Sequence, residues 1–372
     1  MSVYRPDDLE RDILALWERE ETFAASLERR AHAPRYGFYD GPPYATGAPH
    51  YGHLLQTAIK DAVTRYWTMR GYLVDRRVGW DCHGLPIENL VEKELGITNK
   101  KEIEERGIEA FNAACRSVVL RNVNAWTSLL QRVGRWADYA HAYVTMDAAF
   151  MESAWWVFKV VWDQGFVTKG LRSSPYCPRC ETPLSNFETT LGYADVTDPA
   201  ITVKVRLADE PRTFLLIWTT TPWTLPGNAA IAVHPELRYA KVRVGEELWV
   251  VAEGRVADVA REPHTIEGTV AGTDLVGRAY EPLFSFVEPD QRSCRVVAAS
   301  FVNPAEGTGL VHIAPAFGEE DFRLGEEQGL PLRPTVDERG RFLPVVAPWA
   351  GRFVKDADAA IIGDLRTRGL LV

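Results

Sequence analysis

Apolar residues recur at helical spacing in the first part of this chain and at strand spacing in the second. Apolar positions three and four apart predict helices over residues 7–28, 50–71, 101–137 and 148–164. Beyond residue 200, short alternating runs separated by turn residues predict strands. These runs cover residues 201–207, 213–220, 230–233, 239–244, 248–252, 295–301 and 309–314, with one further helix over 317–328. The pattern therefore predicts an α/β fold class, followed by a β-rich, barrel-like domain.

Two short apolar runs, at residues 36–39 and 72–75, flank the helix predicted over residues 50–71. Strand, helix and strand in this order form a βαβ unit, in which the strands are parallel and the crossover is right-handed. Ligands bind such sheets at the carboxyl ends of the strands. Two loops, 40–49 and 79–88, follow the predicted strands, so we expect them to form one ligand site.

The helix predicted over residues 148–164 carries an aromatic stripe that includes Trp155, Phe158 and Trp162. Aromatic side chains dominate protein cores. We therefore expect this stripe to pack in the core and not to hold a cofactor.

The composition is that of an ordinary globular protein. The chain has 372 residues, of which 46% are hydrophobic and 25% charged, and its length allows two or three domains. The formal net charge of -9 excludes a global basic field, so contact with nucleic acid requires a local basic patch. Residues 1–30 lack the pattern of a signal peptide, and we expect no membrane partner. Five cysteines, an odd and sparse count, favour a reducing cytoplasm over a disulfide framework.

The segment 40–53 combines a Gly/Pro-rich loop with two histidines at a predicted helix start. Pro49 suits the first helical position. His50 and His53 stand three apart, which places both imidazoles on one helix face beside the free N–H groups of the first turn. Gly52 between them leaves room for a nucleotide ring or sugar. Such a helix start suits phosphate, although two histidines at this spacing also occur on surfaces or as half of a metal site.

Asp81 follows Trp80 in the second of the two loops. Its carboxylate has two interpretations. It is either a turn aspartate that caps the next element, or a carboxylate in an apolar recess that holds a substrate ammonium. The spacing alone leaves both open.

Cys177 and Cys180 have the C-x-x-C spacing of a metal knuckle. This pair supplies half of a tetrahedral site, and no second cysteine pair occurs up to residue 372. Two unliganded thiols are the alternative.

A threonine-rich run and a later His–Asp segment are candidates for a second polar site. Residues 218–224, WTTTPWT, end a predicted strand. Threonine is a good strand former, but four hydroxyl groups beside a proline favour the rim of a pocket. His312 and Asp321 lie on the segment 309–321, which runs from strand to helix start, so the two side chains can converge on one ligand.

Taken together, these segments resemble class I aminoacyl-tRNA synthetases. The run Pro49-His50-Tyr51-Gly52-His53 resembles their HIGH signature. Residues 79–88, GWDCHGLPIE, resemble the second signature of the isoleucyl branch. The leucyl and valyl enzymes have different sequences in the corresponding loop. The threonine-rich and His312–Asp321 segments resemble the two walls of the editing pocket inserted in isoleucyl, valyl and leucyl enzymes. The resemblance covers essentially the whole chain.

Two departures from the family pattern bear on what this chain does. Tyr51 stands where the HIGH motif usually has isoleucine, and we expect its side chain to face away from the nucleotide. The second half of the nucleotide-binding fold, the KMSKS loop, the remaining zinc cysteines and the anticodon domain are not found within the 372 residues. We therefore expect that this segment alone does not aminoacylate tRNA.

The resemblance implies ATP-dependent ligation of isoleucine to tRNA(Ile), through an adenylate, with ATP as the Mg²⁺ complex. By this resemblance, His50 and His53 are the catalytic residues. Asp81 would pair with the ammonium of isoleucine, and His83 would orient the loop. The resemblance assigns the shape of the ATP and aminoacyl pocket to five loop and helix residues: Gly41, Pro42, Pro43, Tyr44 and Gly52. Cys177 and Cys180 would hold half of a Zn²⁺ site.

The resemblance also implies hydrolytic editing of valine. Isoleucine and valine differ by one methylene, which an apolar pocket distinguishes by only about 1–3 kcal/mol, a limit described for the isoleucyl enzymes themselves. Asp321 would bind the amino group of the misacylated ligand, and His312 would form the wall that refuses isoleucine. The hydroxyls of Thr219, Thr220, Thr221 and Thr224 would bind the carbonyl, the terminal adenosine or the attacking water. Trp218, Trp223 and Asn228 would support that pocket.

The implied organisation is the first half of a Rossmann-like parallel-sheet domain over 1–168, a zinc knuckle and linker over 169–198, and an editing domain over 199–372. We expect a cytoplasmic monomer. The alternatives are a valyl or leucyl enzyme, a free-standing aminoacyl-tRNA editing hydrolase, and an unrelated nucleotidyl transferase whose histidines bind metal.

Overall fold

The structure, a computed structural model, describes residues 5–190, 193–287 and 291–372. The chain divides into two compact units, Met1–Lys169 and Gly170–Val372. Within the part of the chain that is described, no helix is both long enough and apolar enough to cross a membrane.

The first unit consists mainly of helices, with a short parallel sheet. In chain order its elements are α1 (Pro6–Arg19), α2 (Thr22–Glu28), α3 (Tyr51–Met69), β1 (Arg77–Trp80), α4 (Leu85–Leu95), α5 (Lys100–Arg106), α6 (Ile108–Val119), α7 (Val123–Arg132), β2 (Asp138–Val144) and α8 (Ala148–Asp163). β1 and β2 pair in parallel, with Trp80 opposite Val144. The core lies among β1, α4, α6 and α7, and includes Trp80, Phe111 and Trp126.

The strands predicted over 36–39 and 72–75 are wrong. These segments are joined by an isolated parallel bridge between Arg35 and Leu73, in which the Tyr36 N–H donates to the Leu73 carbonyl and the Leu73 N–H donates to the Pro34 carbonyl. The regular strands are β1 and β2. Tyr39 in the first predicted segment is 97% exposed and Val74 in the second is buried, but neither segment forms the run of paired backbone groups that a strand requires.

The start of α3 also differs from its prediction. The helix begins at Tyr51, with His50 as its N-cap residue. Pro49 therefore lies before the cap and not at the first helical position.

The aromatic stripe of α8 is not in a core. The side chains of Trp155, Phe158 and Trp162 are all more than half exposed, and no residue of this helix is buried among the residues described. The expectation of core packing is wrong for this chain, since periodicity identifies an apolar face but not what covers it.

The second unit is built on one mixed sheet. Its elements are β3 (Tyr176–Cys177), β4 (Thr182–Pro183), α9 (Asn186–Thr190), β5 (Ile201–Arg206), β6 (Thr213–Thr219), β7 (Ala230–Val233), β8 (Arg238–Val244), β9 (Glu247–Ala252), α10 (Val256–Val259), β10 (Thr265–Ala271), α11 (Gly272–Leu275), β11 (Arg295–Ala298), β12 (Leu310–Ile313), α12 (Glu319–Gln328) and α13 (Val354–Thr367). The strand order is β10-β8-β9-β6-β12-β7-β11, with β5 also paired to β6. Six of the seven predicted strands and α12 are present with shifted ends, and β7 has the predicted bounds, while β10 and α13 were not predicted. Among the described residues, β10 and β11 are not paired to each other, so barrel closure is not seen.

β6 is the strand that positions the second site. β5 pairs with it along its length, on one edge. On the other edge, β9 pairs with residues 213–215 and β12 meets Trp218, its next-to-last residue. The sheet thus forks at β6, so that the threonines after Trp218 lie beside β12, which carries His312.

Candidate functional sites

The two histidines of the first site cap their own helix. The N–H of His50 donates to Nδ1 of His53 at 3.1 Å, and the N–H of Gly52 donates to Nδ1 of His50 at 3.1 Å. The rings stack with their centroids 3.7 Å apart. Because each Nδ1 accepts a hydrogen bond, the proton of each neutral ring lies on Nε2. Burial, helped by the charges of His50 and Lys60, lowers the pKa of His53, which favours the neutral ring.

This capping changes two expectations about the helix start. The Gly52 N–H, expected to be free for phosphate, is occupied by the His50 ring. A Cβ on Gly52 would lie 3.0 Å from that ring, so the glycine makes room for His50. The donors that the two rings keep for a ligand are their Nε2–H groups.

The loops 40–49 and 79–88 meet, as expected. The Asp81 N–H donates to the Pro43 carbonyl at 3.0 Å, and Tyr44 and Asp81 form a parallel bridge. Trp126 joins the loop to the histidines. Its indole N–H donates to the Gly47 carbonyl at 2.8 Å, and its ring packs edge-on against His53 with 4.6 Å between centroids. The Gly41–Tyr44 turn, His53 and Asp81 thus belong to one surface.

Thr145 lies under Asp81 and was not predicted. Its buried hydroxyl accepts the Cys82 N–H at 2.9 Å and lies 3.1 Å from Nδ1 of His83 and 3.5 Å from Oδ1 of Asp81. Asp81 also accepts the His83 N–H at 3.3 Å, as expected of a turn aspartate that caps the next element. The carboxylate remains partly exposed, so capping and ligand binding are compatible.

Asp40 anchors the first loop and was also missed. It is buried, and its carboxylate contacts Lys60 at 2.7 Å and Arg135. Its carbonyl accepts the Tyr143 hydroxyl at 2.7 Å. The signal in the sequence was a carboxylate directly before a Gly-Pro-Pro turn, but neither cationic partner is close in sequence. Between the two charges, Asp40 holds the start of the loop in place.

A cavity of 670 Å³ lies beside this surface. Its lining includes Tyr39, Asp40, Tyr143 and Phe150. Of the residues described, none of those predicted to bind ATP or isoleucine lines it. Each of those residues is partly or fully exposed.

The second site is a cavity of 310 Å³ in the β-rich unit. Seven predicted residues line it: Trp218, Thr219, Thr220, Thr221, Thr224, His312 and Asp321. Sequence reasoning missed the remaining lining, which includes Phe301, Asn303, Glu306, Thr308, Phe317 and Glu320. The first four belong to the turn before β12, and only the pairing of β12 with β6 and β7 brings that turn to the threonines.

Trp223 and Asn228 support the cavity from outside its lining. Trp223 packs edge-on against Phe317, with 5.1 Å between ring centroids, and its backbone N–H donates to Oδ1 of Asp358 at 2.9 Å. Asn228 is buried beside His312, with 2.8 Å between its Nδ2 and Nδ1 of the imidazole.

His312 is buried in a fixed set of partners. Its Nε2 lies 3.0 Å from the Thr224 hydroxyl, which donates to the Thr221 carbonyl at 2.8 Å. Burial lowers the pKa of His312 to about 4. The ring is therefore neutral at physiological pH and acts as an uncharged wall of the cavity.

Burial disfavours the charged form of the Asp321 carboxylate in this cavity. Burial raises its pKa to about 6, opposed by the hydrogen bond from the Ala314 N–H at 3.0 Å and aided by the negative charge of Glu320. A cationic ligand would restore a partner for this charge. The site can therefore hold an ammonium group next to a row of hydroxyls.

Cys177 and Cys180 lie on the β3–β4 hairpin as free thiols. The Cys180 N–H points at the Cys177 sulfur, 3.4 Å away, which is a geometry suited to a thiolate ligand. In residues 5–190, 193–287 and 291–372, no group of three or more metal-ligating side chains is assembled. The hairpin thus fits half of a zinc site.

The chain is similar to known tRNA synthetases. The family model for "tRNA synthetases class I (I, L, M and V)" matches residues 12–315. Isoleucine–tRNA ligase of Mycobacterium tuberculosis H37Rv is 47% identical over 372 residues, with 97% of this chain and 36% of that protein covered. The enzyme of the same name from Bdellovibrio bacteriovorus is 45% identical over 382 residues, with 100% and 36% covered. The chain thus spans little more than a third of the length of these curated relatives.

Among solved structures, "The crystal structure of GlLeuRS-CP1" aligns with a TM-score of 0.40 and 16% identity. The alignment covers 47% of this chain and 98% of that chain. A likeness at this level supports no conclusion about the fold.

Proposed function

The chain belongs to the class I tRNA synthetases for isoleucine, leucine, methionine and valine, and from this membership we propose that it is part of an isoleucine–tRNA ligase. The observation that carries the proposal is the meeting of the 40–49 and 79–88 loops beside the stacked His50 and His53. The relatives named isoleucine–tRNA ligase favour isoleucine over the other three amino acids.

The proposed first reaction joins isoleucine to ATP, which enters as its Mg²⁺ complex. A carboxylate oxygen of isoleucine attacks the α-phosphorus, giving isoleucyl-adenylate and pyrophosphate. Negative charge builds on the phosphate oxygens, and preorganised donors that face this charge lower the barrier. The Nε2–H groups of His50 and His53 supply these donors, held in place because each Nδ1 is tied to the backbone.

The remaining residues of this site position the reactants. Asp81 pairs with the isoleucine ammonium, and His83 and Thr145 orient its carboxylate. Gly41, Pro42, Pro43 and Tyr44 shape the pocket for ATP and the aminoacyl group, and Gly52 gives His50 its position. The adenylate then passes its acyl group to tRNA(Ile).

We propose that the cavity of the β-rich unit edits valine. Asp321 binds the amino group of the valyl ester on tRNA, and the hydroxyls of Thr219, Thr220, Thr221 and Thr224 bind the carbonyl, the terminal adenosine or the attacking water. His312 closes the wall against isoleucine, backed by Asn228. Trp218 lines the cavity, and Trp223 supports it through Phe317.

We propose three regions in this chain, two of which carry the two proposed reactions. Residues 1–168 form the first half of a Rossmann-like nucleotide-binding domain, 169–198 a zinc knuckle, and 199–372 the editing domain. Cys177 and Cys180 hold Zn²⁺ together with ligands not assembled among the described residues, and the metal has a structural role only. The protein acts as a cytoplasmic monomer.

The test is the carboxylate variant Asp81→Asn in the chain extended to the length of its relatives. Asp81→Asn should abolish isoleucine-dependent ATP–pyrophosphate exchange and spare deacylation of Val-tRNA. If valine or leucine supports exchange and isoleucine does not, the proposal of an isoleucine enzyme is wrong. A free-standing editing hydrolase is the second candidate, favoured by the preformed 310 Å³ cavity. Deacylation without exchange in the extended chain would support it.

A further inference from the structure

Tyr280 lies outside the editing cavity and outside every motif discussed above. Its side chain is buried, and its hydroxyl donates to Oδ1 of Asn228 at 2.6 Å. Tyr280 belongs to the core of the β-rich unit and is 52 positions from Asn228 along the chain. This contact leads to a chain of hydrogen bonds that ends in the cavity.

The orientation of the Asn228 amide follows from its partners. Nδ2 is 3.0 Å from the Ala230 carbonyl, which can only accept, so the nitrogen is on that side. The second hydrogen of Nδ2 points at Nδ1 of His312, 2.8 Å away. Oδ1 accepts from Tyr280. A flipped amide would set Oδ1 against the Ala230 carbonyl, which is repulsive.

The amide in turn decides which nitrogen of His312 carries the proton. Nδ1 accepts from Asn228, and burial keeps the ring neutral with a pKa of about 4. The single proton therefore lies on Nε2 and is donated to the Thr224 hydroxyl, 3.0 Å away. Thr224 gives its own hydrogen to the Thr221 carbonyl. The Thr224 hydroxyl oxygen therefore faces the cavity as a hydrogen-bond acceptor.

We propose that Tyr280 is a positioning residue for the editing reaction: through Asn228 it holds His312 in the Nε2–H tautomer, so that Thr224 presents only an acceptor to the attacking water. The inference rests on the editing function proposed above. In the opposite tautomer, Nε2 would accept from Thr224, and the Thr224 hydrogen would leave the Thr221 carbonyl. The hydroxyl would then face the water in a different orientation.

The test is Tyr280→Phe, with Tyr239→Phe as the matched control. Tyr239 is an equally buried tyrosine of the same core, and its hydroxyl donates to the Gly309 carbonyl at 3.0 Å. Both variants lose one buried hydroxyl, but the Tyr239 hydroxyl also accepts the His234 N–H at 2.9 Å. Tyr239→Phe should therefore lose at least as much stability in thermal unfolding as Tyr280→Phe. Only Tyr280→Phe leaves Asn228 without its donor.

The first measurement is the ¹⁵N spectrum of the His312 imidazole in the 372-residue chain. The wild type and Tyr239→Phe should show the proton on Nε2, and Tyr280→Phe should show a mixture of tautomers. A proton on Nδ1 in the wild type, or an unchanged tautomer in Tyr280→Phe, overturns the proposal.

The second measurement is deacylation of Val-tRNA by the full-length protein. Tyr280→Phe should lower kcat about three- to tenfold, the scale of one buried hydrogen bond, with KM unchanged, while Tyr239→Phe leaves both constants unchanged. An equal loss in the two variants would indicate a structural effect and overturn the proposal. A wild type without deacylation contradicts the editing function, and the tautomer measurement still decides the role of Tyr280.

Discussion

The N–H of His50 and Nδ1 of His53 form a 3.1 Å hydrogen bond, so the second histidine of the pair caps the backbone at the first. The two rings cannot be treated as independent phosphate donors. His53 both fixes the helix start and stacks on His50. Its removal is therefore expected to disturb two donors at once.

His53→Ala should reduce isoleucine-dependent ATP–pyrophosphate exchange by about 10²- to 10³-fold, the scale for losing a preorganised donor. The lost cap should also lower the free energy of unfolding by about 1 kcal/mol. His141→Ala, on the exposed side of β2, is the control and should leave exchange unchanged. Exchange at the wild-type rate in His53→Ala would contradict the catalytic role.

Asp321→Ala should abolish deacylation of Val-tRNA and leave isoleucine adenylation nearly intact. The reason is that Asp321 lines the cavity of the β-rich unit, whereas the adenylation residues belong to the other unit. Deacylation and pyrophosphate exchange are measured on the same preparation. Equal loss of both activities would rule out the two-site assignment.

Asp321→Asn should raise the free energy of unfolding near pH 7.5, by at most about 3 kcal/mol. Burial raises the pKa of Asp321 from 3.8 to about 6, so the folded state binds the proton more tightly than the unfolded state. Ionisation therefore destabilises the fold progressively from pH 3.8 upward and in full above pH 6. The amide variant is spared this loss.

Urea unfolding at a series of pH values measures this difference. It should be small below pH 3.8, grow up to pH 6 and then stay constant. Asp274→Asn, at an exposed carboxylate, should change stability by less than about 0.5 kcal/mol. A stability gain for Asp321→Asn that does not vary with pH would show that its ionisation is not the cause.

Thr145→Val should raise the KM for isoleucine about tenfold and lower the free energy of unfolding by about 1–3 kcal/mol. The substitution leaves the buried Cys82 N–H without an acceptor and frees the carboxylate of Asp81. Thr68→Val, which removes another buried hydroxyl of the same unit, should lower stability without changing KM. Were both variants to raise KM equally, Thr145 would have no specific role at Asp81.

Gly307→Ala should weaken binding of Val-tRNA to the editing cavity. Gly307 has φ +56°, and a Cβ there would lie 2.9 Å from Cβ of Trp218 and 3.0 Å from its ring. The tryptophan has to shift, and it lines the cavity. Gly254→Ala, which meets no atom within 4 Å, is the control. The comparison is the KM for deacylation; a larger effect in Gly254→Ala would contradict the explanation.

The strands of the β-rich unit were largely predictable because each is a short, mainly apolar run bounded by turn residues. β7 spans Ala230–Val233, the same residues that the sequence indicated. β10 was not predicted because Thr265–Ala271 is exposed along its first half, and an edge strand of this kind has little apolar alternation. In the first unit, residues 36–39 looked like a strand by composition, but Tyr39 has no covered face.

Contacts between residues close in sequence could be inferred from the chain alone, whereas contacts between distant residues depend on the tertiary fold. His50 and His53 are three positions apart, so a helix brings them together whatever surrounds it, and the sequence was sufficient to pair them. His312 and Asn228 are 84 positions apart, and Tyr280 is 52 positions from Asn228. Their contact exists only because β12 pairs with β7 and because the fork at β6 sets the threonines beside them. Spacing along a helix is a local property of the chain, whereas register between distant strands is chosen by the packing of the whole core.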